Sequence, residues 1–220
     1  MLALGAWFGK DYPCAMQGSV PSGAFRSPAS ARNREPILAV LAEVLPPAAR
    51  VLEIAAGAGE HALWAAERFP ETRWLPTDPD PSALGSIAAW RAAAGPPNLL
   101  PPRRLDVREA ADWPPPPFDA VVAINMIHIS PWTAVQALIA GAGRTLRSGG
   151  VLFLYGPYLE ANIATAPSNL AFDEDLKRRN PDWGLRRLEE VTALAAARGL
   201  ALFRRIEMPA DNLSLAFRRA

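Results

Sequence analysis

The sequence predicts an α/β fold: one mostly parallel seven-stranded sheet, helices on both of its faces, and an antiparallel hairpin at the C-terminus. Three observations predict it. Short apolar runs alternate with stretches of helical periodicity along most of the chain. The last two runs are joined only by Pro209-Ala210-Asp211-Asn212, too short a link for a crossover helix, so those two strands run antiparallel. The first run leads into a loop of small residues, Ala55-Ala56-Gly57-Ala58-Gly59, at the place where an open α/β sheet binds its ligand.

Each element follows from local chemistry. Ser30 is the expected N-cap of a first helix, with Pro36 near its start, Ile37, Leu38, Leu41, Val44 and Leu45 at helical spacing, and Pro46-Pro47 as its stop. Arg50 to Ala55 reads as a buried strand, His61 to Phe69 as a helix ended by Pro70, and Arg73 to Thr77 as a strand ending at Asp78. A helix over Ser82 to Ala94 is closed by Gly95-Pro96-Pro97, and a weaker strand covers Arg103 to Val107. Phe118 to Asn125 is a strongly apolar strand. A helix from Thr133 to Leu146 is ended by Ser148-Gly149-Gly150, and Val151 to Tyr155 is the next strand. Arg186 to Ala197 forms a helix that Gly199 terminates, and the strands Ala201 to Met208 and Leu213 to Arg218 complete the sheet.

Composition narrows the class. The chain has 220 residues, with 23 Lys+Arg against 22 Asp+Glu and a net charge of +1, so it lacks the basic footprint of a nucleic-acid binder. Arg103-Arg104 and Arg186-Arg187 are the places where a local basic patch could form; solvated surface charge is the plainer reading. One cysteine, Cys14, excludes an internal disulfide, and two histidines, His61 and His128, exclude a histidine-rich metal site. No apolar run approaches the ~18 residues that span a bilayer. These features lead to the expectation of a cytoplasmic protein with no membrane segment and no metal. Residues 1–30 are expected to form a flexible leader. The apolar start is a poor signal peptide, and Met16 is an alternative start. A single domain is expected over residues 31–220, with a cap inserted at residues 159–183, partly helical around Phe172 to Arg179.

The loop has two readings. Glu53-Ile54-Ala55-Ala56-Gly57-Ala58-Gly59 resembles the first motif of class I S-adenosylmethionine-dependent methyltransferases, an acid followed by Gly-x-Gly-x-Gly, with Ala55 in place of the first glycine. That resemblance implies S-adenosyl-L-methionine as cofactor and a Rossmann-like fold. It has Glu53 anchor the loop or the cofactor's amino end, and lays Ala55, Gly57 and Gly59 along its methionine and ribose portions. The rival is the dinucleotide pattern Gly57-x-Gly59-x-x-Ala62 with Asp78 as the ribose acid, which would make an NAD(P)-binding oxidoreductase. Glu53 favours the first reading. Only Lys10 and Lys177 are present, so the Tyr-x-x-x-Lys pair of small reductases is missing, and no room remains for a second catalytic domain. A methyltransferase fold that binds without turnover is a further alternative.

Two more acids extend the cofactor site. Asp78 ends the second strand, where a carboxylate can accept both ribose hydroxyls. Asp106, followed by Val107, lies after the third strand, where this enzyme class often places an acid against the adenine amino group. For both, a turn or helix-cap carboxylate is the alternative. Arg32 and Asn33 could fold back on the cofactor carboxylate or serve as a cap. His61, one turn into the helix after the loop, either packs or touches cofactor.

Several segments together resemble a narrower family, methyltransferase-like 26, also called domain of unknown function 938. They are Arg32-Asn33-Arg34-Glu35-Pro36-Ile37, Ile124-Asn125-Met126-Ile127-His128-Ile129-Ser130-Pro131-Trp132, Tyr155-Gly156-Pro157-Tyr158, Ser168-Asn169-x-x-Phe172-Asp173, Pro181-x-Trp183-Gly184 and Met208-Pro209-Ala210-x-Asn212-Leu213. The resemblance runs from about Ser27 to Arg219 and implies the class I fold and S-adenosylmethionine binding.

The acceptor side is read from position. His128 follows the fourth strand at the cofactor edge, and its ordinary pKa near 6.5 suits proton transfer, so it is the candidate general base; a histidine bonding backbone before Ser130-Pro131 is the alternative. Asn125 could contact cofactor or acceptor. It is not followed by the Pro-Pro-aromatic run of enzymes that methylate nucleic-acid bases, which disfavours that substrate class and leaves a small-molecule acceptor. Trp132, Tyr155, Tyr158 and Asn169 are the candidate residues of the acceptor pocket, with core packing equally open for Tyr155.

Overall fold

Val51 to Ile54 of the strand Arg50–Ile54 (β1) are all buried, with apolar side chains on each face, so the strand is covered on both sides. In the computed structural model, which describes residues 20–220, Val51 enters one core layer and Leu52 and Ile54 the other. The following strands are β2 (Arg73–Asp78), β3 (Arg103–Arg104), β4 (Phe118–Ile124), β5 (Leu146–Gly156), β6 (Tyr158–Leu159), β7 (Arg186–Arg187), β8 (Leu200–Met208) and β9 (Asn212–Arg219). The helices are α1 (Pro28–Val44), α2 (Glu60–Arg68), α3 (Pro81–Ala94), α4 (Trp132–Thr145), α5 (Pro167–Arg179) and α6 (Leu188–Ala196).

Seven strands make the main sheet in the order β3-β2-β1-β4-β5-β9-β8, parallel except that β9 runs antiparallel to both β5 and β8. The C-terminal hairpin thus closes as expected. Ile37, Leu41, Leu63 and Trp64 from α1 and α2 cover one face, and Val135, Leu138, Ile139, Val191 and Ala195 from α4 and α6 cover the other. The chain lays β2 and β3 on one side of β1 and then returns to place β4 and β5 on the other. Strand order therefore reverses between β1 and β4, which opens a crevice above their carboxyl ends.

Some boundaries move. Helix α1 begins at Pro28 and is capped by Ser27, whose side chain accepts from Ser30 N at 3.3 Å. Proline is pre-organised for a first helical position, so Ser27 rather than Ser30 takes the cap. The stretch expected to be flexible up to residue 30 is tied down from Phe25. Phe25 N donates to Ser86 Oγ at 2.8 Å, Trp90 Nε1 donates to Phe25 O at 2.9 Å, and Ser27 N donates to Glu60 Oε2 at 2.6 Å. The expectations that concern Lys10, Cys14 and Met16 lie outside the described residues.

Strand β3 keeps only Arg103–Arg104, whereas β5 starts early, at Leu146, and carries Ser148-Gly149-Gly150 through an irregular register opposite β4. Arg186–Arg187 is not the start of a helix but a strand that pairs with Tyr158–Leu159 in a second, two-stranded parallel sheet. Helix α5 is longer than the sequence suggests, from Pro167 rather than Phe172.

Candidate functional site

The loop after β1 is shaped by backbone that side chains rarely tolerate: Gly57 has φ 56° and Gly59 φ 89°. A Cβ on Gly59 would fall 2.8 Å from Ile87, whereas one on Gly57 would meet nothing within 4 Å. One glycine is needed for packing; the other faces open space. Ala55 also takes a positive φ, 53°, at a cost of roughly 1–2 kcal/mol that glycine would not incur.

Hydrogen bonds fix this loop to its neighbours. Ala56 N donates to Thr77 O at 2.9 Å, Gly57 N to Asp78 Oδ2 at 2.9 Å, and Ser86 Oγ to Ala58 O at 2.7 Å. Beneath it, Trp74 Nε1 donates to Glu53 Oε2 at 2.6 Å and Thr77 Oγ1 to Glu53 O at 2.7 Å. Glu53 thereby anchors β1 to β2. Burial pushes its carboxyl up to about 7, opposed by the Trp74 bond and reinforced by the charge of Asp78.

Asp78 is brought against the loop. Its Oδ1 accepts Asp80 N at 2.9 Å, and burial raises its carboxyl against the two backbone bonds that lower it. Asp106 is held differently: Arg108 forks it, with Nε donating to Oδ1 at 3.0 Å and Nη2 to Oδ2 at 2.6 Å, which holds the carboxyl below its usual range. Val107 is buried, and its carbonyl accepts Trp113 Nε1 at 3.0 Å.

The α1 side contributes Asn33, which lies beside the Tyr155 hydroxyl at the end of β5. The Asn33 Oδ1 and His61 Nε2 atoms are buried and have no hydrogen-bond partner. His61 packs its ring edge against Trp64, and burial, with Arg34 nearby, lowers its pKa to about 4. Arg32 is exposed on α1.

At the end of β4, Asn125 turns the chain with φ 57°, its N–H donating to Tyr155 O at 2.8 Å, and a 3-10 turn Ile127–Ile129 follows. His128 sits in this turn at 3% exposure, its Nδ1 without a partner. Gly156 makes room for it, since a Cβ there would lie 3.0 Å from Nδ1 and 3.8 Å from Asn125 Oδ1. Phe172 of α5 meets the imidazole edge-on at 5.6 Å, and burial first, then Arg186, lowers the His128 pKa to about 4. Asn125, His128 and Gly156 thus converge on one spot.

The remaining acceptor candidates are spread more widely. Tyr158 is buried with its hydroxyl unpartnered, Trp132 is half-buried under the Arg186 guanidinium, and Asn169 Nδ2 donates to Asp211 O at 2.9 Å, which ties α5 to the C-terminal hairpin. Among the described residues, no group of three or more His, Cys, Asp or Glu side chains is placed to hold a metal, and no helix is long and apolar enough to cross a membrane.

The reversal of strand order, the glycine loop after β1, the acid at the end of β2 and the antiparallel β9 together define a class I methyltransferase fold. Within it, the chain belongs to the family described as protein of unknown function (DUF938), whose model matches residues 25–219. Its fold is similar to that of an O-methyltransferase family protein from Burkholderia thailandensis, with a TM-score of 0.75 and 17% identity over 87% of this chain and 57% of that one. It is also similar to human N-acetylserotonin methyltransferase, solved with S-adenosylmethionine (TM-score 0.72, 14% identity, 87% of this chain and 53% of that one). A third is an O-methyltransferase family 2 protein from Planctomyces limnophilus, solved with apigenin (TM-score 0.70, 19% identity, 85% and 62%). The chain spans little more than half the length of these structures, and at such identities the likeness is one of fold.

Sequence reasoning named Arg186 only as candidate surface charge, and Phe172 and Asp173 only within the family motif and the expected cap; in the structure Arg186 and Phe172 lie beside His128, and Asp173 holds Leu185 N. A signal was available for the first. Two arginines at the start of a helix oppose its dipole, while Glu189 and Glu190 fit the first turn, so the helix had to begin after Arg187.

Proposed function

We propose that the protein transfers a methyl group from S-adenosylmethionine to the hydroxyl of a small molecule, with His128 as general base. The observation that carries this reading is a buried histidine whose Nδ1 is unbonded, at the same sheet edge as the Gly57–Asp78 cradle. The fit of the residues to the cofactor is good. Gly57 leaves open space above a loop held rigid from below, and Asp78 keeps lone pairs free after accepting Gly57 and Asp80 N–H groups. The unsatisfied Asn33 Oδ1 and His61 Nε2 lack the partners that buried polar groups require.

When bound, S-adenosylmethionine supplies a methyl group already activated for displacement, so the protein's work is alignment, exclusion of water and management of one proton. Asp78 would accept the ribose hydroxyls, with Gly57 and Gly59 letting the backbone approach. Asp106 and Val107 would flank the adenine, and Glu53 would hold the loop from below. Helix α5 and Phe172, within the insertion at residues 159–183, would cover the acceptor. His128 is neutral at pH 7 because burial and Arg186 disfavour its charged form, so its Nδ1 is free to take the hydroxyl proton as the oxygen–methyl bond forms. The O-methyltransferase family proteins among the similar folds, one of them solved with apigenin, support a hydroxyl acceptor.

Calorimetry should find S-adenosylmethionine binding far more tightly than NAD or NADP; the reverse order would point to an oxidoreductase. In a screen of hydroxyl, amine and thiol acceptors, His128→Asn should keep cofactor affinity and lose roughly 10²–10⁴ in turnover on a hydroxyl. Full activity of that variant on a hydroxyl acceptor would remove the general-base role.

A further inference from the structure

Arg186 reaches from β7 to the turn that carries His128. Its Nε donates to Ile127 O at 3.2 Å, and its Nη2 donates to Ser130 O at 2.5 Å and Asp182 O at 2.8 Å. Ile127 immediately precedes His128 and Ser130 closes the turn, so one rigid guanidinium spans both ends of it. The plane also lies over Trp132, 5.8 Å from the ring centroid, at the start of α4. A planar fork of fixed donors can do this; a lysine ammonium, a point charge on a flexible stem, cannot hold the same carbonyls at once.

The strap leading into β7 adds two contacts. Gly184 N donates to His128 O at 3.0 Å, and Leu185 N donates to the buried Asp173 Oδ1 at 2.8 Å. Asp173 belongs to α5, the helix that brings Phe172 against the imidazole. The turn, the strap and the cap are therefore joined around His128. Holding an arginine half-buried against carbonyls costs desolvation, and burial lowers its own pKa accordingly, with Asp173, Asp182 and Glu190 opposing. Such an arrangement is expensive as mere packing and makes sense where placement matters.

We propose that Arg186 is a positioning residue: by holding the carbonyls of Ile127 and Ser130 together, it fixes the turn that presents His128 to the acceptor. The catalytic consequence rests on His128 being the base; the placement itself does not. Charged groups facing this spot are Arg186 on β7, Asp173 on α5, Asp182 in the strap and Glu190 on α6. Of these, Arg186 is the one that disfavours protonation of His128.

The chain has two histidines, so imidazole ring signals in the intact protein reduce to two, assigned with His61→Asn and His128→Asn. Arg186→Lys keeps the charge and loses the fork; Arg186→Gln loses both. Both variants should shift and broaden the His128 signal in the free protein, and Arg186→Gln should also raise its titration midpoint. With a hydroxyl acceptor, Arg186→Lys should lower kcat by roughly 10–100-fold, the scale of a small misplacement, with S-adenosylmethionine affinity unchanged. Adding Arg186→Gln to His128→Asn should cost little more than His128→Asn alone. A wild-type His128 signal in both variants overturns the proposal, as does unchanged kcat in both when His128→Asn is impaired. If His128→Asn is fully active, the general-base reading fails, and the ring signals alone decide the placement. Should Arg186→Gln not fold, Arg186→Lys alone decides through the His128 ring signal and kcat.

Discussion

Replacing Glu53 with Gln should remove a defined share of the protein's pH-dependent stability. Glu53 is 2% exposed, and its carboxyl is raised from an ordinary 4.5 to about 7, chiefly by burial. The unfolded chain releases this proton near 4.5, while the folded chain holds it until about 7. Between those values the native state binds more protons, so stability falls as pH rises. The contribution is fully present below 4.5 and lost above 7, and a rise of that size corresponds to about 3 kcal/mol. Gln keeps an acceptor for Trp74 Nε1 and removes the titration. His61 and His128, both lowered to about 4 by burial, act in the opposite direction, since their contribution is lost as pH falls from 6.5. Wild type and variant must therefore be compared at each pH. Urea unfolding followed by tryptophan fluorescence from pH 4 to 8 should show the wild type losing about 3 kcal/mol relative to Glu53→Gln. Parallel stability curves would refute the buried, proton-holding carboxyl.

Two further substitutions probe the site. Asp78→Ala removes the acceptor of Gly57 N and the proposed ribose ligand, so S-adenosylmethionine affinity measured by calorimetry should fall by roughly tenfold or more while the fold survives, as for other charged hydrogen bonds; unchanged affinity would leave Asp78 a turn residue. Gly156→Ala places a Cβ 3.0 Å from His128 Nδ1 and should force the ring aside, lowering hydroxyl-acceptor turnover by roughly tenfold or more with cofactor binding intact; wild-type turnover would show that the ring has slack.

The central sheet was legible because strands buried on both faces must be continuously apolar, and Val51 to Ile54 and Phe118 to Ile124 are nearly so. The glycine loop was legible because few residues tolerate its φ values. Other features depend on partners distant in sequence. Tyr158–Leu159 becomes a strand only because Arg186–Arg187 arrives beside it, and two residues carry no periodicity of their own. Strand β5 begins at Leu146 because β4 offers its edge there, although Gly149-Gly150 reads locally as a turn. Asn33 and Asp106 were noted as polar residues near the cofactor edge. The side chains beside them, Tyr155 and Arg108, depend on how α1 crosses β5 and on a local turn.

The Ser86 hydroxyl lies between two segments that the chain keeps far apart. It accepts Phe25 N and donates to Ala58 O, while Trp90 holds the Phe25 carbonyl and Glu60 the Ser27 amide. A protease cut between Phe25 and Pro28 would therefore be felt in the glycine loop. Ser86 would lose the donor that orients its hydroxyl, Glu60 at the head of α2 would lose its amide partner, and both sides of the loop would gain freedom that binding of the proposed cofactor must then remove. The stretch from Phe25 to Ser27 is thus a clasp on the glycine loop.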